Sequence, residues 1–150
     1  MDKETRFEQL VSRLREHGYR MTPQRMAVLQ ALLRSDGHPS VEELYREIQP
    51  AYPMVSLATV YKTVATLKAI DEVLELEFSD GHNRYDAHTP RPHPHLICRH
   101  CKRIEDFPLD DLSQLTANVA AQSGYRDLTV RLDFYGLCGE CSRNARPLPT

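Results

Sequence analysis

His93-Pro94-His95-Leu96-Ile97-Cys98-Arg99-His100-Cys101-Lys102-Arg103-Ile104-Glu105-Asp106 is the stretch around which the chain is organised. Its fourteen residues hold three histidines, two cysteines and two acidic residues, all of them metal-ligating types. Cys98-x-x-Cys101 sets two thiolates on one tight turn, as tetrahedral zinc requires. On a strand, His93-x-His95 aims both imidazoles at one face, because side chains alternate with period two. His95 and Cys98 lie three residues apart and therefore on opposite faces. The stretch is expected to serve two different sites.

Outward from it, the four cysteines fall in two Cys-x-x-Cys pairs, Cys98/Cys101 and Cys138/Cys141, with none left over. In a reducing compartment that pattern reads as metal rather than disulfide. The 36 residues between the pairs exceed the usual zinc-ribbon spacing. Doubling a loop costs only about 0.6 kcal/mol, whereas a structural zinc contributes about 10 kcal/mol or more. No apolar run reaches the about 18 residues of a membrane span, and Met1–Arg6 lacks the apolar core of a signal peptide. A cytoplasmic protein without membrane contact is expected. A net charge of -2 taken alone argues against a nucleic-acid partner. The distribution is more informative: residues 1–68 hold 10 Lys/Arg against 8 Asp/Glu, and residues 69–150 hold 9 against 13. A mildly basic front half and an acidic, histidine-rich back half suit a DNA-binding head on a metal-binding body.

In chain order, residues 3–17 read as a helix with Phe7, Leu10, Val11 and Leu14 on one face and Gly18 as its stop. Thr22-Pro23 opens a second helix, with Met26, Leu29, Leu32 and Leu33 inward. Ser40-Val-Glu-Glu43 is a capping box for a short third helix. Ser56 caps a fourth, Leu57 to about Ile70, with Leu57, Val60, Val64 and Leu67 inward. Its opposite face carries Ala58, Thr59, Lys62 and Thr66, with Tyr61 on the flank. Small, hydroxylated, basic and free of carboxylates, that face can enter a DNA major groove. Residues 74–78 and 83–87 form a β-hairpin about a turn at Ser79–His82. Helices followed directly by a hairpin give a winged helix-turn-helix. His88–Pro92 reads as a linker. Beyond it are expected a strand from Pro94 to Cys98, a return over Ile104–Phe107, and a helix from Leu109 to Ser123 with Leu112, Leu115 and Val119 inward. An alternating strand, Leu128–Phe134, then leads to Cys138. The tail Arg146–Thr150 is expected to be disordered. The fold class is α+β, with a winged-helix domain over 1–87, a linker over 88–92 and a small dimerisation and metal-binding domain over 93–150.

Gly18-Tyr-Arg20-Met-Thr-Pro-Gln-Arg25, Ser56-Leu-Ala-Thr-Val-Tyr61-Lys-Thr-Val, His93-x-His95-Leu-Ile-Cys98-x-x-Cys101 and Tyr135-Gly-x-Cys138-x-x-Cys141 follow one another in the order and spacing of the ferric uptake regulator (Fur) family, which the chain resembles over roughly residues 5–142. The resemblance implies a homodimeric, metal-dependent repressor of double-stranded DNA that binds an AT-rich inverted repeat and is not an enzyme. It implies a structural zinc on Cys98, Cys101, Cys138 and Cys141. It also implies a regulatory Fe(II) or Mn(II) site on His38, Asp86, His93, His95 and Asp106. Tyr61, Lys62 and Thr59 would contact the groove, with Arg20 near the minor groove. His82, His88 and His100 are expected to be solvated surface.

Asp at position 86 resembles the peroxide-sensing (PerR) subgroup, whereas Glu is typical of iron-uptake regulators. Pro94 and Val130 stand where other members carry ligands of an additional site. With all four cysteines assigned, no thiolate remains for a zinc-sensing site. Iron- or manganese-uptake regulation is the alternative. A thiol–disulfide redox protein is a distant one, because neither Cys-x-x-Cys pair opens an evident helix.

Overall fold

A computed structural model describes residues 2–78, 80–109 and 112–144. Ser79 of the expected hairpin turn and the tail Arg146–Thr150 lie outside the described residues. The chain divides into two compact units, Met1–Pro90 and Arg91–Thr150. Among the described residues no helix is long and apolar enough to cross a membrane.

The first unit holds four helices, α1 (Lys3–Glu16), α2 (Pro23–Arg34), α3 (Val41–Ile48) and α4 (Leu57–Ala69), followed by strands β1 (Leu74–Leu76) and β2 (Arg84–Asp86). Each helix start is fixed by a short polar side chain that accepts from an otherwise unpaired backbone N–H. Asp2, Thr22, Ser40 and Ser56 cap the four in turn, with Pro23 in the first turn of α2. The Ser40–Glu43 capping box is complete, with Glu43 N donating to Ser40 Oγ at 3.2 Å and Ser40 N donating to Glu43 Oε2 at 2.7 Å. Leu10, Leu14, Val28, Leu29, Leu32, Leu44, Val60, Val64 and Leu67 meet in one core. Strands β1 and β2 pair antiparallel with Leu74 opposite Asp86, and Tyr85 N donates to Pro39 O at 3.0 Å, which ties the wing to the start of α3.

Two helix faces differ from expectation. Met26 and Leu57, expected inward, are 37% and 38% exposed. Both stand in first turns, where the helix has only begun to cross its neighbours, and Ala27, Val28 and Ala31 complete the buried face of α2 instead. Thr66, expected outward, is buried and donates its hydroxyl to Lys62 O at 2.8 Å.

Arg6 is also buried. Its guanidinium donates to Ala87 O at 2.8 Å and to the Glu72 carboxylate and carbonyl at 2.9 and 3.0 Å, and Arg13 reaches the other Glu72 oxygen at 2.7 Å. Helix α1 is thereby bolted to the residue that follows Asp86.

The second unit contains β3 (His95–Cys98), β4 (Ile104–Asp106), α5 (Ser113–Ser123), β5 (Asp133–Gly136) and α6 (Gly139–Asn144). Strand β3 is central, antiparallel to β4 and parallel to β5. The expected long strand over 128–134 is replaced by β5, which begins only at Asp133, where pairing with His95 starts. Phe134, expected on the buried face, is 47% exposed. Asp133 takes an inward place next to His95. Leu115 and Val119 of α5 are 49% and 47% exposed instead of buried. Three short strands cannot supply a layer that covers every apolar side chain of so small a unit.

Removing one partner of a buried ion pair leaves the other charge uncompensated, at a cost of about 3–5 kcal/mol. Arg6→Ala is expected at the low end, about 3 kcal/mol, because Arg13 still reaches Glu72. Urea unfolding of parent and variant measures it; a loss below about 1 kcal/mol, the level of an exposed pair, would contradict the assignment.

Candidate metal centres

Two donor sets grow from β3. The first is all sulfur. Cys98 ends the strand, Cys101 follows on the turn, Cys138 lies just beyond β5, and Cys141 lies within α6. Because Cys98 is in register with Gly136, β5 delivers the second pair directly to the first. The four Sγ atoms lie within 4.8 Å of one another, and all four residues are free thiols. A compact four-sulfur set suits tetrahedral zinc. The turn is tight enough to hold Lys102 at φ 65°, a left-handed conformation that favours glycine.

The thiols are polarised even without a cation. Backbone N–H groups, Cys138 first and then Cys101, hold the Cys98 thiol down at about 5, from an ordinary 9.0. The neighbouring sulfurs, Cys138 foremost, together with burial push Cys141 up to about 12. The four cannot all ionise together without a cation among them. Contrary to expectation, the Cys138/Cys141 pair does open a helix, the short α6. That context alone suits redox thiols, but the convergence of all four sulfurs does not.

The second set is nitrogen and oxygen. Within the second unit, His93 Nε2 lies 3.0 Å and His95 Nε2 3.8 Å from Asp106 Oδ1, and the two rings are 4.4 Å apart. The pairing of β3 with β4 sets Asp106 opposite His95. His95 is almost wholly buried, at 1% exposure. On its other side His95 Nδ1 faces Asp133 Oδ1 at 3.5 Å, and Arg131 Nε donates to the second Asp133 oxygen at 2.8 Å. A carboxylate behind a ligand imidazole orients the ring and raises its basicity. Asp133 escaped sequence reasoning, because only the β3–β5 register brings it there. Within the first unit, His38 Nε2 and Asp86 Oδ2 are 3.7 Å apart. Asp86 Oδ1 accepts from the backbone of His88 and Thr89 at 2.7 and 3.0 Å, which aims Oδ2 at His38.

Residues 16–135 match the sequence model of the ferric uptake regulator family. The chain belongs to that family. The peroxide-responsive repressor PerR of Staphylococcus aureus (strain USA300) is 35% identical over 138 residues, 92% of this chain and 93% of the relative. The ferric uptake regulator Fur of Helicobacter pylori, whose structure reveals three functional metal-binding sites, superposes with a TM-score of 0.73 at 26% identity, over 95% of each chain. PerR from Streptococcus pyogenes superposes at 0.52 with 32% identity, over 94% of each chain.

In this Fur-family chain the residues expected at DNA stand on or before α4. Tyr61 is 44% exposed and Lys62 is exposed. The Thr59 hydroxyl is engaged with Ser56 Oγ at 2.9 Å, inside the helix cap. Arg20 is exposed ahead of α2, and its carbonyl accepts from Arg25. The three histidines expected to be solvated surface, His82, His88 and His100, are all exposed. His100 Nδ1 lies 3.4 Å from Cys141 Sγ, and His82 Nδ1 3.7 Å from Glu42 Oε2. His88 Nε2 is 3.3 Å from Ser35 O.

Protons compete with a metal for thiolates, so zinc is held at neutral pH and released as pH falls. In metal-free protein the depressed Cys98 value contributes stability above its ordinary 9.0, which is lost as pH falls toward about 5. The raised Cys141 value has the opposite sign, contributing below 9.0 and losing that contribution as pH rises toward about 12. One zinc per chain is expected in the parent protein and none in Cys98→Ser, by elemental analysis. Chelator-treated parent should show a thiolate ultraviolet band that grows in near pH 5 and is absent from Cys98→Ser. Parent-level zinc in the variant would refute the four-sulfur site.

Proposed function

We propose that this chain is a peroxide-responsive, metal-dependent repressor that binds duplex DNA as a homodimer. The observation that carries the reading is the segregation of donors. Every thiolate is committed to one cluster, and the remaining candidate ligands, His38, Asp86, His93, His95 and Asp106, are imidazoles and carboxylates. Three imidazoles and two carboxylates suit Fe(II) or Mn(II), and no soft ligand is present to favour zinc there. Asp rather than Glu at 86, and the likeness to PerR of Staphylococcus aureus, support the peroxide reading over iron uptake.

Held by these imidazoles and carboxylates, Fe(II) would supply the one-electron reduction that cleaves the peroxide O–O bond, so that a ligand imidazole gains one peroxide oxygen and the other leaves as water with the displaced ring hydrogen; Mn(II) would support repression without that chemistry. The chain's own part is to hold imidazoles beside that event. A histidine that gains oxygen is a poorer ligand, so metal and then DNA are released. Helix α4 and the β1–β2 wing form the DNA-reading element, with Tyr61 and Lys62 toward the major groove and Arg20 toward the minor groove of an AT-rich inverted repeat. The apolar side chains left exposed in the second unit, Leu109, Leu115, Val119 and Leu137 among them, support a second copy as the dimer partner.

Brief peroxide treatment of the Fe(II) form is expected to add one oxygen to His38 or His93 by peptide mass spectrometry and to abolish the gel shift, while the Mn(II) form keeps both unchanged. Oxidation confined to cysteines, with zinc lost, would overturn the histidine mechanism. His93→Ala should lose metal-dependent DNA binding and retain its zinc. Equal binding of DNA by protein without the regulatory metal would contradict the repressor mechanism.

A further inference from the structure

One carboxylate at the edge of the reading face is out of keeping with its surroundings. Helix α4 contains no acidic residue and exposes Ala58, Lys62, Ala65 and Lys68. Glu42 comes to it from the first turn of α3, nineteen residues earlier in the chain. Its Oε1 accepts from the Tyr61 hydroxyl at 2.7 Å, and its Oε2 lies 3.7 Å from His82 Nδ1 in the wing turn. Three elements that must keep a fixed arrangement to read a groove therefore meet at one side chain. Val41, Gly81, Asn83 and Tyr85 line the small cleft around it. The return strand of the wing is itself anchored, with Asn83 Nδ2 and Tyr85 Oη both donating to Glu75 Oε1 at 3.0 Å. The phenol holds the Glu42 carboxyl below its ordinary range, and Glu42 holds the phenol above its own.

A negative charge beside a surface that meets phosphates weakens association with any duplex, whatever its sequence. Its benefit must be selective. A tyrosine at 44% exposure is otherwise free to turn about χ1, and fixing it on binding costs about two- to tenfold in affinity. We propose that Glu42 is a positioning residue for DNA recognition, which orients the Tyr61 ring and joins α4 to the wing, so that sequence selectivity is gained while general DNA affinity is lowered. The proposal rests on the DNA-binding reading above.

The test uses the Mn(II)-loaded full chain and two probes: the duplex that the parent selects from a random-sequence pool, and an unrelated duplex of equal length. Glu42→Ala is expected to weaken binding to the selected duplex about fivefold, and to leave binding to the unrelated duplex unchanged or stronger. Tyr61→Phe, which keeps the ring and removes the donor, should lose the same factor, and the double variant no more than either single one. Glu42→Gln keeps an acceptor on the same stem and should retain most of the selectivity. Thermal midpoints verify folding, and if Glu42→Ala does not fold, Tyr61→Phe and Glu42→Gln decide. Selectivity unchanged or raised in Glu42→Ala, or single losses that add in the double variant, would overturn the proposal. A parent protein that selects no duplex at all would instead overturn the DNA-binding reading, and this inference with it.

Discussion

The backbone pairing of β3 is the constraint on which the second unit depends. One four-residue strand lies between β4 and β5, and its register decides three things. It puts Asp106 on one side of His95 and Asp133 on the other. It ends at Cys98, opposite Gly136, so that Cys138 arrives at the sulfur cluster two residues later. By the period-two alternation of a strand it separates the imidazole of His95 from the sulfur of Cys98. A slip of one residue would exchange these faces and mix the donors. The hard and soft chemistry of the chain is thus kept apart by geometry before any metal arrives.

The first unit solves a different problem. Its core is a conventional helical one, with each helix start fixed by a cap, and its polar side chains do the aiming. The Asx turn at Asp86 directs one carboxylate oxygen to His38, and Arg6 holds the next carbonyl through a pair with Glu72 that is itself mostly buried. Such networks are costly to leave half satisfied, which makes them stiff supports for a candidate ligand such as Asp86. The same logic recurs where Glu42 meets the Tyr61 hydroxyl and His82, between α3, α4 and the β1–β2 hairpin.

Much of this was legible in the sequence because the signals are local. Ser40 and Glu43 specify a helix start and Cys-x-x-Cys a thiolate turn, each within four residues; His-x-His does bring two rings to 4.4 Å, but His93 stands ahead of β3 rather than on the expected strand face. What escaped depends on partners distant in sequence. Asp133 reads as one polar residue in an alternating run until the β3–β5 pairing sets it beside His95. Glu42 reads as a first-turn acid that favours the helix dipole, and only the packing of α3 on α4 brings it to Tyr61. Leu115 and Val119 carry a correct apolar stripe, but the pattern cannot say whether the unit itself has anything to cover it. Thr66 was misplaced because its hydroxyl folds back onto its own helix, an option that faces drawn at 100° per residue ignore.

The two donor sets are expected to hold different ions, and X-ray absorption at the zinc and manganese edges, on protein loaded with both ions, measures this segregation most directly. Zinc is predicted to show only sulfur neighbours, at about 2.3 Å, and manganese only nitrogen and oxygen. Sulfur in the manganese shell, or an imidazole such as that of His100 in place of a thiolate around zinc, would contradict it.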